Sequence, residues 1–321
     1  MRVGLTAVLD DLDREGVRVD VPAKAAVEGF TWDARDRATR RWWPQGLTTS
    51  AHGRWSGRPV MIASWYAKGL LGLLGLGSRV TVIDPAGERP RYRHVRLVHR
   101  PGPRWLGPLR PMLTVRVHAG GLAWEGTRLY VAAGPFGFRV FDLDDVERVS
   151  RWRGRGYRYV LPLHSAHRTR PRRDRSEMTW SFLTFDRSGD TPRLVAGEYG
   201  TKAAARHRMV RHVVDDLGLP ASADPEWFDE QPHRMQGTCQ AGSTWFVTAS
   251  AGEGKPGALW VGEPGRWRKH AGVLATGAED ITYWPERHQL WTLTEWPHRR
   301  WVYAVDPDAW PGPDFEDASS L

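Results

Sequence analysis

Short runs of alternating apolar and polar residues cover most of the chain, and they predict β-strands rather than helices. Gly, Pro and Asp separate these runs at short intervals, as in turns between strands. Helical periodicity is sparse, and Thr6–Glu15 is the segment that predicts one or two amphipathic turns. The pattern therefore predicts an all-β protein.

An internal repeat organises the predicted strands, and each copy opens with a polar residue followed by glycine. The three clearest copies are His118–Val146, Met235–Trp267 and Gly277–Pro307. A fourth copy begins at Pro44 and resumes at Ser78–Pro85. The fifth and most divergent copy covers Tyr157–Gly200, with an alternating run, His207–Val214, as its last strand.

The repeat predicts a single β-propeller with five blades, and six blades are the alternative. The last copy supplies three strands, so the N-terminal run Gly29–Arg35 is predicted to pair with it and close the ring. The predicted boundaries are an N-terminal segment 1–28 (short helix or extended), a propeller 29–310 and a C-terminal tail 311–321. A β-sandwich is disfavoured because it needs no repeated unit.

Composition adds a surplus of tryptophan and of positive charge. The chain has 18 Trp residues, which suit both sheet packing and the walls of a ligand site, and a formal net charge of +9. The basic residues are mostly Arg and are spread along the chain, with the densest group at Arg168–Arg175. That distribution does not predict nucleic acid as the partner, but it leaves a polyanion-binding scaffold as one alternative function.

The N-terminus and the apolar runs bear on location. The N-terminus lacks an apolar stretch and a small-residue cleavage site, and no apolar run approaches the length of a membrane span. Cys239 is the single cysteine, so an intramolecular disulfide is excluded. A cytoplasmic protein without a membrane partner is expected.

Several phrases resemble a family of actinobacterial β-propeller proteins described as predicted secreted proteins. They are QGLTTS, HAGGL with LYVA and FRVFDL, RMQG and EDITYWPERHQLWTLTE, and the resemblance covers about Phe30 to Pro307. It implies a propeller fold but no particular activity. The chain departs from that family in lacking a signal peptide and in carrying an apolar insert, Gly69–Gly77.

Equivalent positions of the repeat should converge at one mouth of the central channel. These positions are occupied by polar residues: Gln45, His118, Gln236, Glu279 and Asp280. Glycine follows Gln45 and Gln236 directly, which allows close approach of backbones near the axis. His118 and Glu279 are the predicted catalytic acid–base pair, and Gln45, Gln236 and Asp280 are predicted to bind the ligand. In the alternative interpretation these groups bridge blades and bind channel water.

A second candidate group follows the first repeat start. His52, Trp65, Tyr66 and Lys68 are predicted ligand-binding residues, and Tyr66 and Lys68 lie two apart and share a face of the strand. The alternative is an aromatic packing face with a Lys whose aliphatic part covers it.

The predicted function is non-redox acid–base chemistry on a small organic molecule, such as a cyclisation, elimination or hydrolysis in specialised metabolism. A non-catalytic propeller that binds a carbohydrate or another small ligand is the alternative. No cofactor is predicted, although oxygen ligands with one imidazole also suit a divalent cation such as Mg²⁺ or Ca²⁺. Glu198 is a candidate second acid that the sequence does not place.

Overall fold

The computed structural model describes residues 1–53, 55, 57–69, 77–103, 105–106, 110–168, 178–200, 207–215, 218–220 and 225–313. Two α-helices, α1 (Gly4–Leu9) and α2 (Ala34–Ala38), lie in these ranges, and neither is long and apolar enough to span a bilayer. Most of the apolar insert 69–77 and of the Arg-rich loop 168–175 falls outside the described residues.

Strands make up nearly all of the regular structure in the described ranges, which confirms the all-β prediction. In chain order they are β1 (Arg14–Glu15), β2 (Val17–Arg18), β3 (Ala26–Thr31), β4 (Trp42–Thr49), β5 (Met61–Ala67), β6 (Gly77–Asp84), β7 (Arg91–His99), β8 (Leu113–Thr114), β9 (Leu122–Glu125), β10 (Arg128–Ala132), β11 (Phe138–Asp142), β12 (Glu147–Arg148), β13 (Tyr159–His167), β14 (Phe182–Asp186), β15 (Arg193–Gly197), β16 (Met209–Val213), β17 (Glu226–Phe228), β18 (Met235–Ala241), β19 (Thr244–Ala249), β20 (Pro256–Glu263), β21 (Arg266–Thr276), β22 (Ala278–Trp284), β23 (Gln289–Thr294) and β24 (Trp301–Val305).

Consecutive antiparallel strands form four-stranded meanders. Strands β4 to β7 form the first, β14 to β17 another, and β18 to β21 another. Strands β9, β10, β11 and β13 form the second along the chain, and β13 pairs in parallel with β7 through Val160↔Arg96 and Leu161↔Leu97. The last sheet has the order β2-β3-β24-β23-β22, so an N-terminal strand contributes to it.

The first strands of these meanders face one another around a common axis. Strand β4 contacts β9 and β22, β14 contacts β9 and β18, and β18 contacts β22. Apolar side chains fill the spaces between neighbouring sheets; Trp65 and Trp291, for example, belong to one cluster between the last sheet and the first. The arrangement is propeller-like, and it brings the beginnings of these strands to one mouth of the axis.

The glycines that were predicted to permit close approach do so at the axis. A Cβ on Gly46 would lie 2.9 Å from the carbonyl carbon of Gly121, and a Cβ on Gly237 would lie 2.6 Å from the Cα of Asp280. Real Cβ atoms do not make such short contacts with backbone, so neighbouring first strands can approach this closely only through glycine.

Three sequence assignments need correction. Tyr159–His167 was assigned to the fifth repeat copy, but it is the outer strand of the preceding meander because it pairs with β11 and β7. The first meander also has a fourth strand, Arg91–His99, that the repeat did not mark. The predicted strand Gly29–Arg35 is instead β3, which ends at Thr31, since the Asp33 side chain accepts the Asp36 amide and begins α2.

Candidate functional site

Two glutamine–glutamate pairs lie at the mouth where the first strands begin. Gln236 on β18 donates to Glu279 Oε1 on β22 at 3.2 Å. Gln45 on β4 donates to Glu295 Oε2, directly after β23, at 3.0 Å, and also to the Pro44 carbonyl. Each amide therefore fixes the orientation of one carboxyl group across a boundary between strands.

The pKa values of the carboxyl groups in both pairs are raised. Burial raises the pKa of Glu279 well above its ordinary value, and the negative charges of Glu295 and Asp280 add to that rise. Burial also raises the pKa of Glu295, against the opposing effects of Lys68 and the hydrogen bond from Gln45. A buried carboxyl group beside a second negative charge, as Glu279 is, is suited to hold a proton for donation.

His118 is stacked on Tyr66, with 4.4 Å between ring centroids, and lies within electrostatic reach of Lys68. Its side chain keeps a solvent-accessible face, yet the protein around the ring disfavours the imidazolium and, with the nearby charge of Lys68, lowers the pKa to about 4. Exposure together with desolvation is the combination expected for a group inside a concave mouth. The imidazole is therefore neutral at neutral pH.

Tyr66 stacks on the His118 imidazole and lies within electrostatic reach of Glu279 and Glu295. Desolvation raises the pKa of its hydroxyl far above the ordinary value, and the charges of Glu295 and Glu279 raise it further. The hydroxyl therefore stays protonated and can donate to a ligand oxygen.

Lys68 lies over the ring of Trp43, with its Nζ 3.2 Å from the ring centroid. Desolvation lowers its pKa, although the carboxylates of Glu295 and Glu279 oppose that effect. Lys68 thus supplies the positive charge of a mouth that otherwise holds carboxyl groups.

Asp280 lies in the same region but does not face the mouth. Its Oδ2 accepts the backbone N–H groups of Leu47 and Leu122, each at 3.0 Å, and so joins β22 to β4 and β9. Burial raises its pKa well above the ordinary value despite these hydrogen bonds. Asp280 therefore bridges neighbouring sheets, which is the alternative role that the sequence analysis gave for all the polar residues at the axis.

Two predicted ligand residues lie elsewhere. The Trp65 side chain is fully buried, packed against Trp32 at 4.9 Å between ring centroids, because neighbouring residues of a strand point to opposite faces. His52 follows the far end of β4 and lines a cavity of about 180 Å³ with Cys239 and Tyr283, at the opposite end of the axis. Neither joins Tyr66 and Lys68.

The repeat contains a signal that would have identified Glu295. The residue directly after the second strand of a meander lies at the mouth: Lys68 follows β5 and Glu295 follows β23. Glu198 follows β15 in the same way, but it forms an ion pair with Arg208 at 2.7 Å instead of joining the other two carboxyl groups. The second acid of the mouth is thus Glu295.

Metal-type ligands converge at two other places within the described residues. Asp142, Asp145 and His164 form one group, and His288, Asp306 and Asp308 form the other. Within the mouth, Glu279, Glu295 and the His118 imidazole would be the donors for a divalent cation, but they do not form such a group.

Comparison with known proteins gives similarity to solved structures alone. No protein-family model matches the chain, and no curated protein sequence matches it. A gluconolactonase from Xanthomonas campestris is 13% identical over 92% of this chain and 86% of that chain, with a TM-score of 0.43. A GH43 β-xylosidase/α-arabinofuranosidase from a compost metagenome is 9% identical over 89% and 98%, with a TM-score of 0.45. The Myceliophteria thermophila Cps50 (Swd1) β-propeller domain is 10% identical over 81% and 99%, with a TM-score of 0.36. These values are too low to transfer an activity to this chain.

Proposed function

We propose that the protein is an enzyme that performs non-redox acid–base chemistry on a small organic molecule in the axial mouth. Glu279 is the general acid and His118 the general base. Gln45 and Gln236 hold the carboxyl groups, and Tyr66 and Lys68 contact the ligand. The reaction class is a hydrolysis, an elimination or a cyclisation.

The observation that carries this proposal is the inverted order of two pKa values. An ordinary Glu side chain titrates near pH ~4.3 and an ordinary His near ~6.5. Here the pKa of His118 is lowered to about 4, while the pKa of Glu279 is raised well above its usual value. At neutral pH the base is therefore unprotonated, and the raised pKa of Glu279 favours the protonated acid, as a concerted proton transfer needs.

Protons balance in such a step. His118 removes a proton from a hydroxyl group, a water molecule or an acidic C–H of the substrate, and Glu279 gives its proton to the oxygen that leaves or gains electron density. The His118 imidazolium then gives its proton to solvent and the Glu279 carboxylate takes one up from solvent, which restores the starting state. Tyr66, protonated and stacked on His118, is placed to donate a hydrogen bond to the same oxygen.

We also propose that the sheets form five blades and that β3 closes the ring. This proposal is supported by the contacts among β4, β9, β14, β18 and β22. It is also supported by the pairing of β3 with β24 through Val302↔Phe30 and Tyr303↔Gly29. With five blades, both Gln–Glu pairs lie at the same mouth. No further first strand then separates one pair from the other.

The test is a turnover assay with matched variants. Wild-type protein is incubated with panels of lactones, aryl esters and aryl glycosides, and products are followed by mass spectrometry. His118→Ala and Glu279→Gln should each lower turnover by roughly 100-fold or more. His164→Ala and Glu286→Gln, which change exposed residues outside the mouth, serve as controls with the same chemical change.

Two results would refute the proposal. One is product formation that persists equally in both mouth variants. The other is a ligand that binds saturably at the mouth without any product over long incubation, which would support the non-catalytic binding propeller instead. Circular dichroism of each variant separates a loss of chemistry from a loss of fold.

A further inference from the structure

A second pocket, distinct from the axial mouth, lies on the rim of the first meander. Its volume is about 410 Å³, within the range of small-molecule sites, roughly 300–1,000 Å³. The wall comes from the segment around α2, from β6 and β7, and from the hairpin 151–158 between β12 and β13. None of the residues assigned to the mouth lines it.

Four of its arginines are neutralised by carboxylates and are fixed in place. Arg14 and Arg79 lie 3.1 and 3.0 Å from the carboxylate oxygens of the buried Asp36. Arg93 and Arg158 lie 3.1 and 3.0 Å from Asp11. These ion pairs set the positions of guanidinium groups around the pocket before any ligand arrives, which lowers the entropic cost of binding.

Four other arginines of the wall carry uncompensated charge. They are Arg35, Arg41, Arg151 and Arg155. Among the residues that the structure describes, no carboxylate lies within 4.0 Å of any of these four. The wall also holds Asp13 and Asp36, but these pair with Arg93 and with Arg14 and Arg79, so positive charge remains in excess. A concave surface with an excess of one sign of charge concentrates ions of the opposite sign. The pocket therefore favours an anion.

The hairpin gives a second, independent indication that its charge is placed for binding. Arg155 has a φ of 53°, in the left-handed region that a side chain other than glycine rarely adopts, although Gly154 and Gly156 flank it. Strained residues of this kind cluster at ligand sites. The guanidinium group of Arg155 also lies near the buried Arg96, because the pKa of Arg96 is lowered first by desolvation and then by the positive charge of Arg155.

We propose that this pocket binds a small soluble ligand with two adjacent phosphate groups. Guanidinium groups match phosphate oxygens in bidentate geometry, and several uncompensated guanidinium groups match the charge of a pyrophosphate better than that of a single carboxylate. The enclosed volume fits a small molecule, whereas a nucleic acid would need an extended basic surface.

The probe is sodium pyrophosphate, titrated into the full-length protein by isothermal calorimetry in phosphate-free buffer. Wild-type protein should bind it saturably with one site. The variant Arg151→Gln/Arg155→Gln should bind roughly tenfold more weakly or worse, since it loses charge-assisted hydrogen bonds. The control Arg116→Gln/Arg299→Gln removes the same charge from exposed residues outside the pocket wall and should bind like wild type.

Each alternative outcome overturns the inference. An absence of saturable binding by the wild type refutes the site. Equal weakening in the pocket variant and the control assigns the binding to net charge rather than to the pocket. Binding of a single-stranded oligonucleotide without binding of pyrophosphate assigns the surface to a polymer. Thermal melts of both variants establish that neither change unfolds the protein.

Discussion

Replacing Asp36 with asparagine should destabilise the protein far more than its single negative charge suggests. The carboxylate is buried and accepts from the Tyr92 hydroxyl at 3.0 Å, and His94 Nε2 lies 2.8 Å away. It also pairs with Arg14 and Arg79. The substitution keeps the shape of the side chain and removes the charge that these groups share.

The size of the effect follows from burial. The side chains of Asp36 and Arg79 are only 4% and 6% exposed, and removing one partner of a buried ion pair costs about 3–5 kcal/mol. Asp10→Asn is the matched control, because the Asp10–Arg58 pair is 68% and 42% exposed and such pairs contribute at most about 1 kcal/mol.

The pH dependence provides a second check. Burial alone would raise the pKa of Asp36, but His94, Arg79 and Arg14 outweigh it and hold the pKa far below its usual range. A lowered pKa contributes stability above the ordinary carboxyl pKa of ~3.9, and that stability is lost as the pH falls through the lowered value. The difference between wild type and Asp36→Asn should thus persist down to about pH 4.

The assay is urea unfolding followed by tryptophan fluorescence at pH 7 and again at pH 5. An Asp36→Asn variant within about 1 kcal/mol of Asp10→Asn at both pH values would show that the buried network contributes no more than a surface pair. A changed urea dependence without a shifted midpoint would likewise contradict the reasoning.

Four further predictions concern the axis and one buried imidazole. Histidine NMR should show His118 titrating near pH 4, and Glu279→Gln should leave the melting temperature within a few degrees because burial raises the pKa of the carboxyl group and so favours its neutral form. Gly46→Ala should cost about 1–3 kcal/mol in urea unfolding, since its Cβ would lie 2.7 Å from a side-chain oxygen, whereas Gly189→Ala meets no atom within 4 Å and should cost less. The pKa of His212 is lowered to about 4 by burial, so His212 alone should contribute about 3 kcal/mol to the fall in stability from pH 6.5 to 4, and His212→Phe should remove that part of the slope.

Local patterns predicted much of the axis. Alternating residues predicted the first strands. The glycines that follow Gln45 and Gln236 predicted the positions at which those strands approach one another. His118 and Glu279 were identified for the same reason, because equivalent positions of a repeat lie at the same height. Alternation would also have separated Trp65 from Tyr66, since neighbouring strand residues point to opposite faces.

Strand partners were not predictable in the same way. The pattern of Tyr159–His167 predicts a strand, but the sequence of a single strand does not identify the strand that pairs with it. The parallel partner of this strand, β7, lies far back in the sequence. The pocket on the rim was not predicted from the sequence, for a related reason. Its arginines come from separate segments, and the charges that remain uncompensated are known only once the ion pairs of Asp36 and Asp11 are seen.

The parallel pairing of β7 with β13 has a consequence for synthesis and folding. Strands β1 and β8 pair with the two ends of the outer edge of β7, but the middle of that edge gains its parallel partner only when Leu161 has been made. Contacts of long sequence separation form late, and until then that edge can join with another chain. Once it is closed, the first two meanders share a continuous hydrogen-bonded sheet. We expect their amides to exchange with deuterium as one cooperative unit, whereas the later sheets open separately.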